Sequence, residues 1–115
     1  MHTNKQISET FSKGKFNETY SAFAGDISWQ IIGSNITEGK ENVISYCNKM
    51  QIDIGETVLN NVTIIEEGNN IAITGYCNFV DEKKGESRVD YCDVYQFENN
   101  QLKKIVSYCI DVKPQ

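Results

Sequence analysis

The sequence predicts an α+β domain, with helices packed on one face of a mainly antiparallel sheet. Three observations lead there. Apolar residues recur at helical spacing three times before residue 55. Period-two alternation then dominates as far as residue 112. Glycines or Asn-rich clusters punctuate each change of period.

Element by element, Ile7 and Phe11 form an i,i+4 pair that predicts a short helix over residues 6–13, ended by Gly14. Phe16, Tyr20 and Phe23 repeat the pattern, predicting a second helix over 16–24 closed by Gly25. After Asp26 the period changes: Ile27, Trp29 and Ile31 alternate with Ser28 and Gln30, a strand broken at Gly33-Ser34-Asn35. Gly39-Lys40-Glu41-Asn42 leads into a third, amphipathic helix with Val43, Ile44, Cys47, Met50 and Ile54, stopped at Gly55.

Four antiparallel strands should follow. The first covers residues 58–66 and turns at Glu67-Gly68-Asn69-Asn70. The second covers 71–80, with Ile71, Ile73, Gly75, Cys77 and Phe79 on one face. A charged loop over 81–86 leads to a long hairpin over 87–112, folded at Glu98-Asn99-Asn100-Gln101. Lys83-Lys84 and Lys103-Lys104 read as solvated charges that discourage edge pairing.

A chain of 115 residues forms a single domain, here taken as residues 1–115, with one core and a modest pocket. Its net charge is −5 with one arginine, Arg88. A nucleic-acid partner needs a basic stripe to displace counterions, and none is present. No apolar run approaches the roughly 20 residues of a membrane span, and residues 1–6 lack the apolar core of a secretory signal. A cytoplasmic chain with a small-molecule or protein partner is expected.

Each of the four cysteines follows a tyrosine, at Cys47, Cys77, Cys92 and Cys109. There is no Cys-x-x-Cys pair and the one histidine is His2, so neither a metal site nor a cofactor is expected. Cys77 and Cys109 should share the inward parity with Ile105 and Ser107, on strands separated by a third. That places them about 10 Å apart, too far for a disulfide.

The chemistry concentrates on the hairpin. Val89, Tyr91, Asp93, Tyr95 and Phe97 share one face of its first strand, and that face is apolar and aromatic apart from one carboxyl. An acid so placed has its pKa raised by desolvation and can donate a hydrogen bond or a proton near neutral pH. The structural alternative is an aspartate bonded to Tyr91, Tyr95 or a neighbouring amide. Trp29, Tyr91 and Tyr95 pair ring area with a polar tip, which suits a ligand wall or a core equally.

Several motifs, in this order, resemble the NTF2-like superfamily and its SnoaL-like group. They are Phe23-Ala24-Gly25-Asp26-Ile27-Ser28-Trp29, Glu38-Gly39-Lys40-Glu41-Asn42-Val43, the run Asp93, Tyr95, Phe97, and the return strand from Leu102 to Tyr108. The resemblance spans nearly the whole chain. It implies a cystatin-like cone, in which N-terminal helices pack on a strongly curved sheet enclosing an apolar pocket. It also implies dimers formed through the outer sheet face, which here would include Cys92, Val94 and Gln96. Against the ketosteroid isomerase pattern, Asp93 matches the late-strand acid, whereas Ile31 stands at the base and Ile7 at the first-helix oxyanion donor. The histidine–aspartate pairing of other members has no counterpart.

The expected function is binding of a small apolar or aromatic ligand. Asp93 is the candidate catalytic residue, and Trp29, Ile31, Met50, Cys77, Tyr91, Tyr95, Ser107 and Cys109 line the pocket. As an enzyme the protein would be a cofactor-free isomerase, cyclase or dehydratase. The alternative is a non-catalytic dimerisation or protein-interaction module, which the missing base and histidine favour.

Overall fold

A computed structural model describes residues 2–112. The elements run α1 (Asn4–Ser12), a 3₁₀ helix (Phe16–Ala22), β1 (Phe23–Ile31), β2 (Ile36–Glu38), α2 (Lys40–Ile54), β3 (Leu59–Glu67), β4 (Asn70–Asp81), β5 (Gly85–Glu98) and β6 (Gln101–Val112). The strands form one sheet in the order β2-β1-β6-β5-β4-β3, in which β1 runs parallel to β6 and every other pair is antiparallel. The expected α+β cone is present. Among the described residues, no helix is long and apolar enough to cross a membrane.

Helix α1 begins earlier than its apolar pair suggests, because Thr3 and Gln6 form a reciprocal capping box that satisfies two free backbone donors. It ends before Gly14, whose φ of +83° strains any other residue and whose backbone lies close to the Leu59 side chain. The expected second helix is corrected. Residues Phe16–Ala22 form a tighter 3₁₀ helix, and Phe23 already belongs to β1. Gly25 is therefore inside a strand rather than a helix stop. A large bulge there sets Phe23 opposite Leu102 but Ser28 opposite Lys104, and Asp26 forms an ion pair with Lys103. Strand β2 went unforeseen, since three residues are too few to show a period.

Further register shifts fall within β3 and between β5 and β6. Such bulges bend strands and increase twist, and the sheet curves accordingly. Helix α1 lies over β3, β4 and β5, and α2 over β1 and β2. Between them sits the core of Phe11, Phe16, Phe23, Ile27, Trp29, Val43, Cys47, Ile71, Ile73, Tyr95, Phe97, Leu102 and Ile105. Phe11 is its hub, with ring centroids 4.6 Å from Phe16, 5.0 Å from Trp29 and 5.8 Å from Tyr95.

Candidate functional site

Strand register fixes what faces the helices, because directly paired residues project to the same side of a sheet. One inner row runs Ile31, Ser107, Asp93, Ile73, and the next runs Trp29, Ile105, Tyr95, Ile71. Beyond Asp93 the rows continue as Cys109, Tyr91, Gly75 and then Asp111, Val89, Cys77. The inward parity expected for position 93 is therefore present, and Asp93 is 8% exposed.

Its carboxyl group is held by hydroxyls. Ser107 donates to Oδ1 at 2.6 Å and Ser12, the last residue of α1, donates to Oδ2 at 2.8 Å. The Tyr95 hydroxyl lies 3.4 Å from the same Oδ2 and makes a short hydrogen bond with Ser12. The Trp29 indole N–H donates to Ser107 Oγ at 2.9 Å. Each hydroxyl has one hydrogen to give. Because Ser12 gives its hydrogen to Asp93, the single Tyr95 hydrogen is shared between Ser12 Oγ and the more distant Asp93 Oδ2. Two relays thus converge on one group, Trp29 through Ser107 and Tyr95 through Ser12.

Burial is the largest influence on this acid and raises its pKa, while the bonds from Ser107, Ser12 and Tyr95 pull it partly back. Burial likewise raises Tyr95 well above the ordinary phenol value, with the Asp93 charge adding to it. A proton taken up by the carboxyl must reverse one relay. Ser107 Oγ already accepts from Trp29 and has a second lone pair for the acid proton, which frees its own hydrogen for another acceptor. The site can therefore accept a proton and re-present a donor without moving the backbone.

The structure brings Asp93, Tyr95, Ser107 and Trp29 together, with Ile31 beside Ser107. Met50 is half-buried on α2 against the core. Tyr91, Cys77 and Cys109 lie further along the inner face, and Cys109 is exposed at its end. All four cysteines are free. Although Cys109 is exposed as a residue, desolvation at its thiol, then the charges of Asp93, Cys77 and Asp111, pushes it up to about 11, which disfavours the nucleophilic thiolate. Among the described residues, no group of three or more His, Cys, Asp or Glu is placed to hold a metal.

Three participants escaped the sequence reading. Ser12, rather than Ile7, supplies the polar contact from α1. The signal was a serine pair, Ser8 and Ser12, on the helix face that also bears Phe11. Tyr46 stacks edge-on against Trp29 at 5.3 Å. Asn61 accepts from the Tyr91 hydroxyl at 2.7 Å and donates to the Glu9 carbonyl at 3.1 Å, and no local pattern marks it.

The outer face differs. Its rows run Ile65, Ala72, Val94, Val106 and Thr74, Cys92, Tyr108, with Tyr76, Asp90 and Ile110 beyond. Val62, Ile65, Tyr108 and Ile110 are all exposed. Arg88 lies over the Tyr76 ring at 4.4 Å and donates from Nε to Asp90 at 2.7 Å.

Helices closing one side of a bent six-stranded sheet, with an acid set into its inner face, define a cone-shaped α+β domain. A solved structure of an NTF2-like protein of unknown function from Cytophaga hutchinsonii is 43% identical to this chain. It covers 91% of this chain and 94% of its own, with a TM-score of 0.88, and the chain belongs to the NTF2-like family. Two more distant structures share the fold alone. A protein described as a SnoaL-like polyketide cyclase from Jannaschia sp. is 8% identical over 92% of this chain and 84% of its own, at TM-score 0.78. A protein described as a ketosteroid isomerase from Kribbella flavida is 10% identical over 97% of this chain and 81% of its own, at 0.76. No family model and no curated protein matches the chain.

Proposed function

We propose that the protein binds a small apolar or aromatic molecule between the inner sheet face and the helices, with Asp93 as the acidic contact. One observation supports this above others: a nearly buried carboxyl whose hydrogen-bond partners are three hydroxyls and no cation. Burying such a group is costly, and apolar replacement of buried charged groups is often neutral or stabilising. Stability alone gives the fold little reason to keep it. As an enzyme, the protein would use Asp93 as acid or hydrogen-bond donor in cofactor-free isomerisation, cyclisation or dehydration; cyclase and isomerase are the activities named for distant fold relatives. Ile31, in the same row as Asp93, leaves the base position apolar, so binding is favoured over paired acid–base turnover.

The test is fluorescence titration with 2-naphthol between about pH 4 and 8, below the probe's own ionisation. Binding to the native chain should weaken as Asp93 loses its proton, and Asp93→Asn should bind with a flat profile. Identical profiles for the two proteins would remove Asp93 from the site.

A second reading, a homodimerising interaction module, is favoured by the exposed outer-face residues Val62, Ile65, Tyr108 and Ile110, since contiguous apolar patches mark contact surfaces. The two readings are compatible, and a dimer through this face leaves the inner face free.

A further inference from the structure

Tyr91 stands two residues before Asp93 on the same inner face, yet its ring does not stand upright from the sheet. Its hydroxyl reaches Asn61 on β3 at 2.7 Å, so the ring spans the intervening strand β4. The residue paired with Tyr91 on β4 is Gly75. A Cβ at position 75 would overlap the Asn60 carbonyl of β3 and, as closely, the ring carbon Cζ and the hydroxyl of Tyr91, so the ring lies directly against this bare backbone. Asn61 is itself fixed, because its amide donates to the Glu9 carbonyl of α1. Gly75 provides the flat bed and Asn61 the tether.

We infer that Tyr91, laid flat on Gly75, is the specificity-determining residue that sets how large a ring system is admitted beside Asp93. This rests on the ligand-binding reading above. A flattened phenol presents a ring face, which favours planar aromatic partners through offset stacking. Its hydroxyl hydrogen is committed to Asn61, so Tyr91 supplies shape while the Asp93 cluster supplies polarity.

The experiment compares phenol, 2-naphthol and 2-anthrol as probes of increasing ring number, titrated against the native chain and against Tyr91→Ala and Tyr91→Phe. Truncation to Ala bares the Gly75 bed. The affinity ratio of 2-anthrol to phenol should rise about tenfold or more, since an added ring buries further apolar area in the vacated space. Tyr91→Phe keeps the ring and should keep the native size order. Should Tyr91→Ala not fold, Tyr91→Leu removes the flat ring while retaining apolar bulk and should shift the order in the same direction. A uniform loss of affinity for all three probes, with the size order intact, overturns the inference by reducing Tyr91 to a structural part. Failure of the native chain to bind any of the three overturns the ligand reading itself.

Discussion

Along β5, Tyr91, Asp93, Tyr95 and Phe97 are buried, whereas Cys92 and Val94 are half-buried and Gln96 is exposed. The buried set meets Phe11, Ser12 and Trp29. The outward set joins a plane on which Ile110 is 66% and Tyr108 44% exposed. The same backbone thus supports a face with a polar group where apolar residues belong, and another with apolar residues where polar ones belong. Each is the inverse of what folding alone requires. The proposed ligand would use the first face and the proposed second copy of the chain the other.

The comparison breaks most severely at Phe11, the side chain that seals the inner face. Phe11→Ala should cost about 3–5 kcal/mol of stability in chemical denaturation. A loss below 1 kcal/mol would mean the core closes without it. Next comes the tie between α1 and the acid. Ser12→Ala removes a bonded hydroxyl from both Asp93 and Tyr95 and should cost about 1–3 kcal/mol.

A third effect depends on pH. Asp93 has a raised pKa in the fold, so its contribution to stability is intact below the ordinary value of 3.8 and is lost as pH climbs through the folded value. Asp93→Asn has no such titration. Thermal melts at several pH values should show the native protein losing ground to Asp93→Asn across that window, with a constant difference above it. The smallest stability effect lies outside. Ile110→Glu should change chain stability by about 0.5 kcal/mol or less. Light scattering should nevertheless show a dimeric native protein and a monomeric variant, and a monomeric native protein at high concentration would end the dimer proposal.

Much of the fold was legible because period-two alternation with tight turns leaves little freedom. Asn99 and Asn100 both adopt positive φ, which sets the β5–β6 register and with it the inward parity of Asp93. What escaped was non-local or too short. The 3₁₀ turn shares the Phe16 and Tyr20 spacing of an α-helix, and the bulge at Gly25 is imposed by pairing with β6. Ser12 meets Asp93 across 81 positions of chain, and Asn61 meets Tyr91 across 30, distances over which periodicity holds no information.

The inner face stands or falls on the state of one carboxyl. Observing the Asp93 side-chain carbon by 13C NMR through a pH titration reads that state directly. A midpoint clearly above 3.8, moving further when Ser12 or Ser107 is replaced by Ala, is expected from a desolvated acid held by hydroxyls. A midpoint at or below 3.8, unmoved by either substitution, would place the group in solvent and contradict the enclosed site.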